Sequence, residues 1–209
     1  MSHPRVDLSI GKSMIGFSSA TMSLLASRAL QKRIDTKFVF HQHRLSELLS
    51  LLKRQYAVVQ TEGNPVASYK NLYFDTRDYL FLKEHHRDRR PRFKVRIRHH
   101  CDREMSFVEI KKKSSSNATL KQRQSIPFEK ENLLDLHAFV QAHCSVVESS
   151  LLRPSLRTDF NRITLVGIQT HERITIDTHL QCSDKDFNAS WSWTNGVIVE
   201  IKQDRYHPR

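Results

Sequence analysis

The chain is poor in several things that would commit it to a function class. Its 209 residues include 5 glycines, and no period of 20–50 residues recurs, so a repeat fold is not expected. Cysteine is almost absent. Cys101, Cys144 and Cys182 are odd in number, far apart, and outside any CxxC or Cys/His spacing. Reduced thiols follow, with no disulfide framework and no zinc site. The histidine doublets His85-His86 and His99-His100 lack the i, i+4 spacing of a helical metal pair. No run of 18 apolar residues exists, so no transmembrane span is expected. The first 30 residues are broken by Lys12, several serines and Arg28, which argues against a secretory signal. A lead-in with a short helix near 22–30 fits them better, and a cytoplasmic protein is the expectation. Acids are in deficit: 22 Asp+Glu stand against 34 Lys+Arg, a formal net charge of +12. That imbalance points to an anionic partner without choosing among nucleic acid, nucleotide, polyphosphate or an acidic surface.

Apolar residues make up 38% of the chain, enough for a packed core. Length and pattern suggest a lead-in over 1–30 and one domain over 31–209. Strands are expected at 32–40, 68–76, 92–99, 105–112, 119–127, 155–166, 171–178 and 197–203. Leu45, Leu48, Leu49 and Leu52 recur at helical spacing within 43–54, and Leu133, Leu136, Phe139 and Val140 do so within 130–144. Many antiparallel strands with two or three helices read as one α+β domain built on a large barrel or sheet.

The strand RFKVRIR alternates strictly. Arg92, Lys94, Arg96 and Arg98 share one face, and Phe93, Val95 and Ile97 the other. Other strands repeat the habit. Glu109 and Lys111 oppose Val108 and Ile110, while Arg173, Thr175 and Asp177 oppose Ile174 and Ile176. Glu200 and Lys202 oppose Val199 and Ile201; Lys121 and Arg123 share a face, as do Arg33, Asp35 and Lys37. Like charges side by side repel unless solvent or an anion meets them. Two arrangements remain open. The charged faces point outward to water, or inward into a closed sheet wide enough for a charged lumen.

The ordered pieces RIDTK, YFDT, RFKVRIR, FVEIKKK, KQR, FNR, ERITID and VEIK resemble the VTC-type polyphosphate polymerase domain. That domain belongs to the triphosphate tunnel metalloenzymes, relatives of the CYTH proteins. The resemblance spans about residues 30–203 and implies an eight-stranded antiparallel β-barrel with flanking helices, whose tunnel holds triphosphate or polyphosphate. By motif it implies phosphate contacts from Lys37, Lys94, Arg96, Arg98, Lys111, Lys121, Arg123, Arg162, Arg173 and Lys202. It implies Mn²⁺ or Mg²⁺ on Glu200, with Glu109 and Asp177 beside it, and catalytic roles for Arg96, Arg98, Lys111 and Glu200. The chain departs from the family pattern in two places. Phe160 stands where the Y-x-R strand has tyrosine, and Arg33, Asp35 and Lys37 replace the superfamily's E-x-E-x-K. The phosphate-sensing domain and membrane helices of the eukaryotic polymerases are not in this sequence.

The implied reaction carries the γ-phosphate of ATP to a polyphosphate end. Such transfer rests on in-line placement and on cations over the oxygens of the group in flight. With water as acceptor the same site is a triphosphatase; with no turnover it is a polyphosphate-binding module. A nucleic-acid binder ranks below these, because Phe93, Phe107 and Phe160 do not interleave with the bases on one surface. Asp75 in YFDT reads equally well as a strand-end cap for the element that follows.

Overall fold

The structure is a computed structural model that describes residues 8–28, 34–116, 118–184 and 188–204. Arg33 and residues 29–30 of the expected short helix lie outside the described residues. The strands are β1 (Ile34–His41), β2 (Tyr56–Val58), β3 (Val66–Asp75), β4 (Arg92–His100), β5 (Met105–Lys113), β6 (Thr119–Ile126), β7 (Arg153–Gly167), β8 (Glu172–Ser183), β9 (Ser190–Trp193) and β10 (Gly196–Gln203). Short helices accompany them: α1 (Leu8–Ser13), α2 (Met22–Ser27), α3 (Leu45–Leu52), α4 (Leu80–His86) and α5 (His137–His143).

All eight strands expected from alternation are present. Three elements were not anticipated: α1, β2 and β9. The strands β2 and β9 have three and four residues, too few to display a period. The helix expected over 130–144 is also shorter, with a 3₁₀ turn at Leu134–Leu136 before α5. Its first residues do something else, since the Glu131 carboxylate is held by Arg157 and His99.

The α+β class and the antiparallel pairing hold. The strand order is β1-β10-β8-β7-β3-β4-β5-β6, with β2 added to β7 and β9 to β8. Eight strands thus lie on the main path of a 10-stranded sheet. Among the described residues no ladder joins β1 to β6, so the closed eight-stranded ring implied by the resemblance is not what the ladders give.

The chain divides into two compact units. Unit 1 comprises residues 1–68, 159–181 and 192–209. In its core Leu45 and Leu49 of α3, one helical turn apart, meet Ile163 and Leu165 of β7, Ile174 and Ile176 of β8, and Val197 and Val199 of β10. Ile10 and Met14 join the same core at i, i+4 spacing, so the lead-in is partly built into the packing.

Unit 2 comprises residues 69–158 and 182–191. Its core sets Val140 of α5 and Phe81 of α4 against Phe93, Val95 and Ile97 of β4 and Val108 and Ile110 of β5. The apolar half of RFKVRIR is therefore the helix-covered half, which leaves the cationic half on the opposite side of the sheet.

Candidate functional site

In unit 2 the register sets cations against one another across three strands. Lys94 of β4 pairs with Lys111 of β5, and Arg96 with Glu109. On the far side of β5, Glu109 pairs with Arg123 and Lys111 with Lys121. The face is buried at its centre and open around it: Glu109 is 2% exposed and Arg96 9%, while Lys94, Lys121 and Arg123 are exposed. Of the two arrangements left open by the sequence, burial is found for Arg96 and Glu109, and exposure to water for Lys94, Lys121 and Arg123.

Glu109 is the single acid among them and is fully engaged. Arg96 donates to it from Nε at 2.8 Å and from Nη2 at 2.5 Å, and the Lys121 ammonium contacts its other oxygen. Burial alone would raise this carboxyl, but Arg96, Lys121 and Arg98 outweigh it and hold it down at about 2. Lys111 moves the other way. Burial, with Arg96, Lys121 and Arg98 close by, lowers its ammonium to about 8, and Glu109 offsets this in part. His100 feels the same field: burial and then Arg98 push it to about 4.

Two residues on this face escaped the sequence reading. Tyr73 Oη accepts from Arg96 Nη1 at 3.1 Å, and Asn71 Oδ1 accepts from Arg98 Nε at 2.7 Å. Asn71 in turn donates to the Thr158 hydroxyl at 3.0 Å. Both sit on β3, where Asn71 pairs with Arg98 and Tyr73 with Arg96. The alternation of Tyr69, Asn71 and Tyr73 in SYKNLYFDT carried the signal, but it takes the register to connect it to the arginines. Arg98 and Arg123 also lie over aromatic rings, those of Tyr69 at 5.3 Å and Phe107 at 5.0 Å.

In unit 1 a second charged face is built from β1, β10, β8 and β7. Lys37 pairs with Glu200, Asp35 with Lys202, Lys202 with Arg173, and Glu200 with Thr175. The Lys202 ammonium contacts Glu200 directly, and Lys37 lies 3.9 Å from its other oxygen. Burial would raise the Glu200 carboxyl, yet Lys202, Lys37 and Arg162 bring it below the usual range. Arg162 grips Asp177 with both arms, at 2.6 and 2.7 Å. Arg162 also lies over the ring of Phe160, at 5.0 Å.

The three acids expected to hold metal thus have different company. Glu109 sits among cations in unit 2, while Glu200 and Asp177 share a face in unit 1, Asp177 pairing with Ile198 two residues before Glu200. Among the described residues no group of three or more His, Cys, Asp or Glu is placed to hold a metal. Glu200 and Asp177 offer hard carboxylate oxygens, the donor type that Mg²⁺ and Mn²⁺ take one or two at a time alongside substrate phosphates. Asp75 is a cap: its carboxylate accepts from the backbone N–H of Phe81 at 2.9 Å and of Leu82 at 3.0 Å, at the start of α4.

No curated protein matches the chain. Among solved structures, a candidate adenylate cyclase from Bacillus halodurans is similar with a TM-score of 0.52 at 15% identity, over 84% of this chain and 82% of that one. A candidate adenylate cyclase from Vibrio parahaemolyticus gives 0.47 at 9% identity, over 83% and 77%. A candidate adenylyl cyclase from Hippeastrum, described as having a dominant triphosphatase activity, gives 0.46 at 10% identity, over 83% and 79%. The first likeness supports a shared fold and nothing narrower. A family model for the VTC domain matches residues 32–209, a span that takes in every strand of both charged faces. The chain belongs to the VTC domain family.

Proposed function

We propose that the chain is a cytoplasmic phosphotransferase that passes the γ-phosphate of ATP to the end of a growing polyphosphate chain. A terminal polyphosphate oxygen attacks the γ-phosphorus in line, the bond to the β-phosphate oxygen breaks, and ADP leaves. Arg96 and Arg98 are assigned to the oxygens of the group in flight, with Lys111 beside them. Lys37, Lys94, Lys121, Arg123, Arg162, Arg173 and Lys202 are assigned to the flanking phosphates. The tunnel implied by the resemblance is part of this reading.

One observation carries it. The register sets Lys94 and Arg96 of β4, Lys111 of β5, and Lys121 and Arg123 of β6 side by side with Glu109 as the acid among them, and partial burial beside Arg96, Lys121 and Arg98 lowers Lys111 to about 8. Such a surplus of positive charge, partly withdrawn from water, is stabilised by an anion with several oxygens. Arginine's planar fork holds such oxygens in pairs, and lysine adds point charge. Tyr73 and Asn71 fix the two guanidinium planes, so little reorganisation is needed as charge shifts during transfer. Glu200, with Asp177, is the assigned carrier of a divalent cation arriving with the phosphates; bound there, the cation would neutralise oxygen charge in the transition state.

The test is incubation of purified protein with ATP, Mn²⁺ and a pyrophosphate primer, with long polyphosphate and orthophosphate resolved on a gel. A Glu200→Gln variant runs alongside. Long chains from wild type, reduced about 100-fold or more in the variant, are the expected result. Orthophosphate alone would make water the acceptor and the protein a triphosphatase. Tight polyphosphate binding without turnover would leave a binding module.

A further inference from the structure

Unit 2 holds a cavity of about 290 Å³ at the edge of its helix-covered core. Phe81 of α4 and Phe93 of β4 wall it, their ring centroids 6.2 Å apart. Val146, beyond the end of α5 and 49% exposed, adds a third apolar surface. Arg89, Arg90 and Arg92 line the same space. None of the residues assigned above to phosphate does.

The three guanidiniums share two carboxylates. Arg89 lies 3.7 Å from Glu84. Arg90 donates to Asp88 from Nη2 at 3.2 Å, and Arg92 contacts the same carboxylate. The Nε of Arg90 is buried and has no hydrogen-bond partner among the described residues. Buried N–H groups are normally paired, and a guanidinium cannot shed its charge to relieve the shortage. The side chain as a whole is 23% exposed, so an anion at that opening neutralises the guanidinium without having to reach Nε. Water hydrates the charge but gains nothing from Phe81, Phe93 and Val146, and inorganic phosphate gains nothing from them either. A molecule with an apolar body and one anionic end uses both.

We propose that this cavity binds a small amphipathic carboxylate, with its hydrocarbon on Phe81, Phe93 and Val146 and its carboxylate on the Arg90 guanidinium. A volume of about 290 Å³ lies at the lower end of ligand-cavity sizes, which suits a short acyl or aryl acid. Arginine selects the charge, its N–H groups matching carboxylate oxygens, and the aromatic walls select the hydrocarbon. The assignment does not depend on the phosphate-handling function proposed above.

Calorimetry with octanoate, octanol and acetate tests this on wild type, Arg90→Gln and Arg87→Gln, with thermal melts of the free proteins alongside. Octanol lacks the charge and acetate the apolar body, so each should bind wild type about tenfold more weakly than octanoate, equivalent to about 1.4 kcal/mol. Arg90→Gln should weaken octanoate by about the same factor and leave octanol unchanged. Arg87→Gln removes an exposed cation that does not line the cavity, and it should change neither. Octanoate should shift the backbone amide signals of Phe81, Phe93 and Val146, and excess tripolyphosphate should leave its Kd as it was. Failure of wild type to bind octanoate would overturn the proposal, as would octanol binding equally well, a comparison that holds even if Arg90→Gln does not fold. Equal losses in Arg90→Gln and Arg87→Gln would overturn it too, since net charge alone would then attract the probe. Displacement of octanoate by tripolyphosphate, or amide shifts confined to other residues, would place the probe elsewhere and sink the assignment while leaving the phosphate-handling function standing.

Discussion

Lys111 carries an opposition between folding and binding that can be measured. Its ammonium, lowered to about 8 by burial and by Arg96, Lys121 and Arg98, titrates below the ordinary lysine value reached on unfolding. Below pH 8 both states are protonated, and the folded, ligand-free protein bears the full cost of a half-buried charge. Between pH 8 and the unfolded value the folded state binds fewer protons, so stability rises with pH. Anion affinity runs the other way, because the same deprotonation removes a cation from the site. Tripolyphosphate affinity should therefore fall about five- to tenfold between pH 7 and pH 9.5. A Lys111→Arg variant should flatten that fall, since guanidinium stays charged throughout. The ligand's own ionisation adds negative charge over this range and cannot mimic the drop; an unchanged wild-type profile would remove Lys111 from the site. How much of this was legible beforehand differs by residue. The types and faces of Lys94, Arg96, Arg98, Glu109 and Lys111 followed from alternation alone. That Arg96 meets Glu109, or that Tyr73 and Asn71 brace the arginines, depends on a register between strands 13 to 27 residues apart in sequence, which no local pattern encodes.

Among the elements, those with a period long enough to repeat were readable and the rest were not. The strand β4 shows four alternations and α3 two turns of leucine, while β2 and β9 are shorter than one cycle of evidence. The 130–144 segment has helical spacing over most of its length, yet the contacts of Glu131 with Arg157 and His99 take its start away from the helix. Asp75 shows the same competition resolved in favour of structure. At 6% exposure its carboxylate accepts from the backbone N–H groups of Thr76, Phe81 and Leu82, which leaves little of it for chemistry. Asp75→Ala should cost about 1–2 kcal/mol of stability through the lost cap of α4. Urea denaturation would read the loss, and faster amide exchange at Phe81 and Leu82 would place it. Tripolyphosphate affinity should be unchanged. Lost affinity at unchanged stability would return Asp75 to the list of functional residues.

For the molecule as a whole, the net charge of +12 and the part-buried groups of the cationic faces make separable predictions about salt. A charge surplus spread over the exterior attracts any polyanion, and that attraction is screened with a Debye length of about 10 Å at 0.1 M salt. Groups withdrawn from water, such as Arg96 at 9% exposure, are screened far less. Exterior binding of a single-stranded oligonucleotide should therefore weaken steeply between 0.05 and 0.3 M salt, by roughly 10²-fold or more if several phosphates are neutralised. Tripolyphosphate held by the buried and part-buried cations of these faces should weaken less, with most of its change in the association rate, where long-range steering acts. Surface plasmon resonance on immobilised protein, titrated with each ligand across the salt series, gives both rates. Two parallel salt slopes would mean that one exterior patch binds both ligands, and the nucleic-acid reading would regain its standing. A shallow tripolyphosphate slope beside a steep oligonucleotide slope, with neither ligand displacing the other, would set the charged sheet faces apart from the rest of the surface charge. In that case the cationic half of RFKVRIR is there for phosphate, and the exterior surplus only raises the rate at which phosphate arrives.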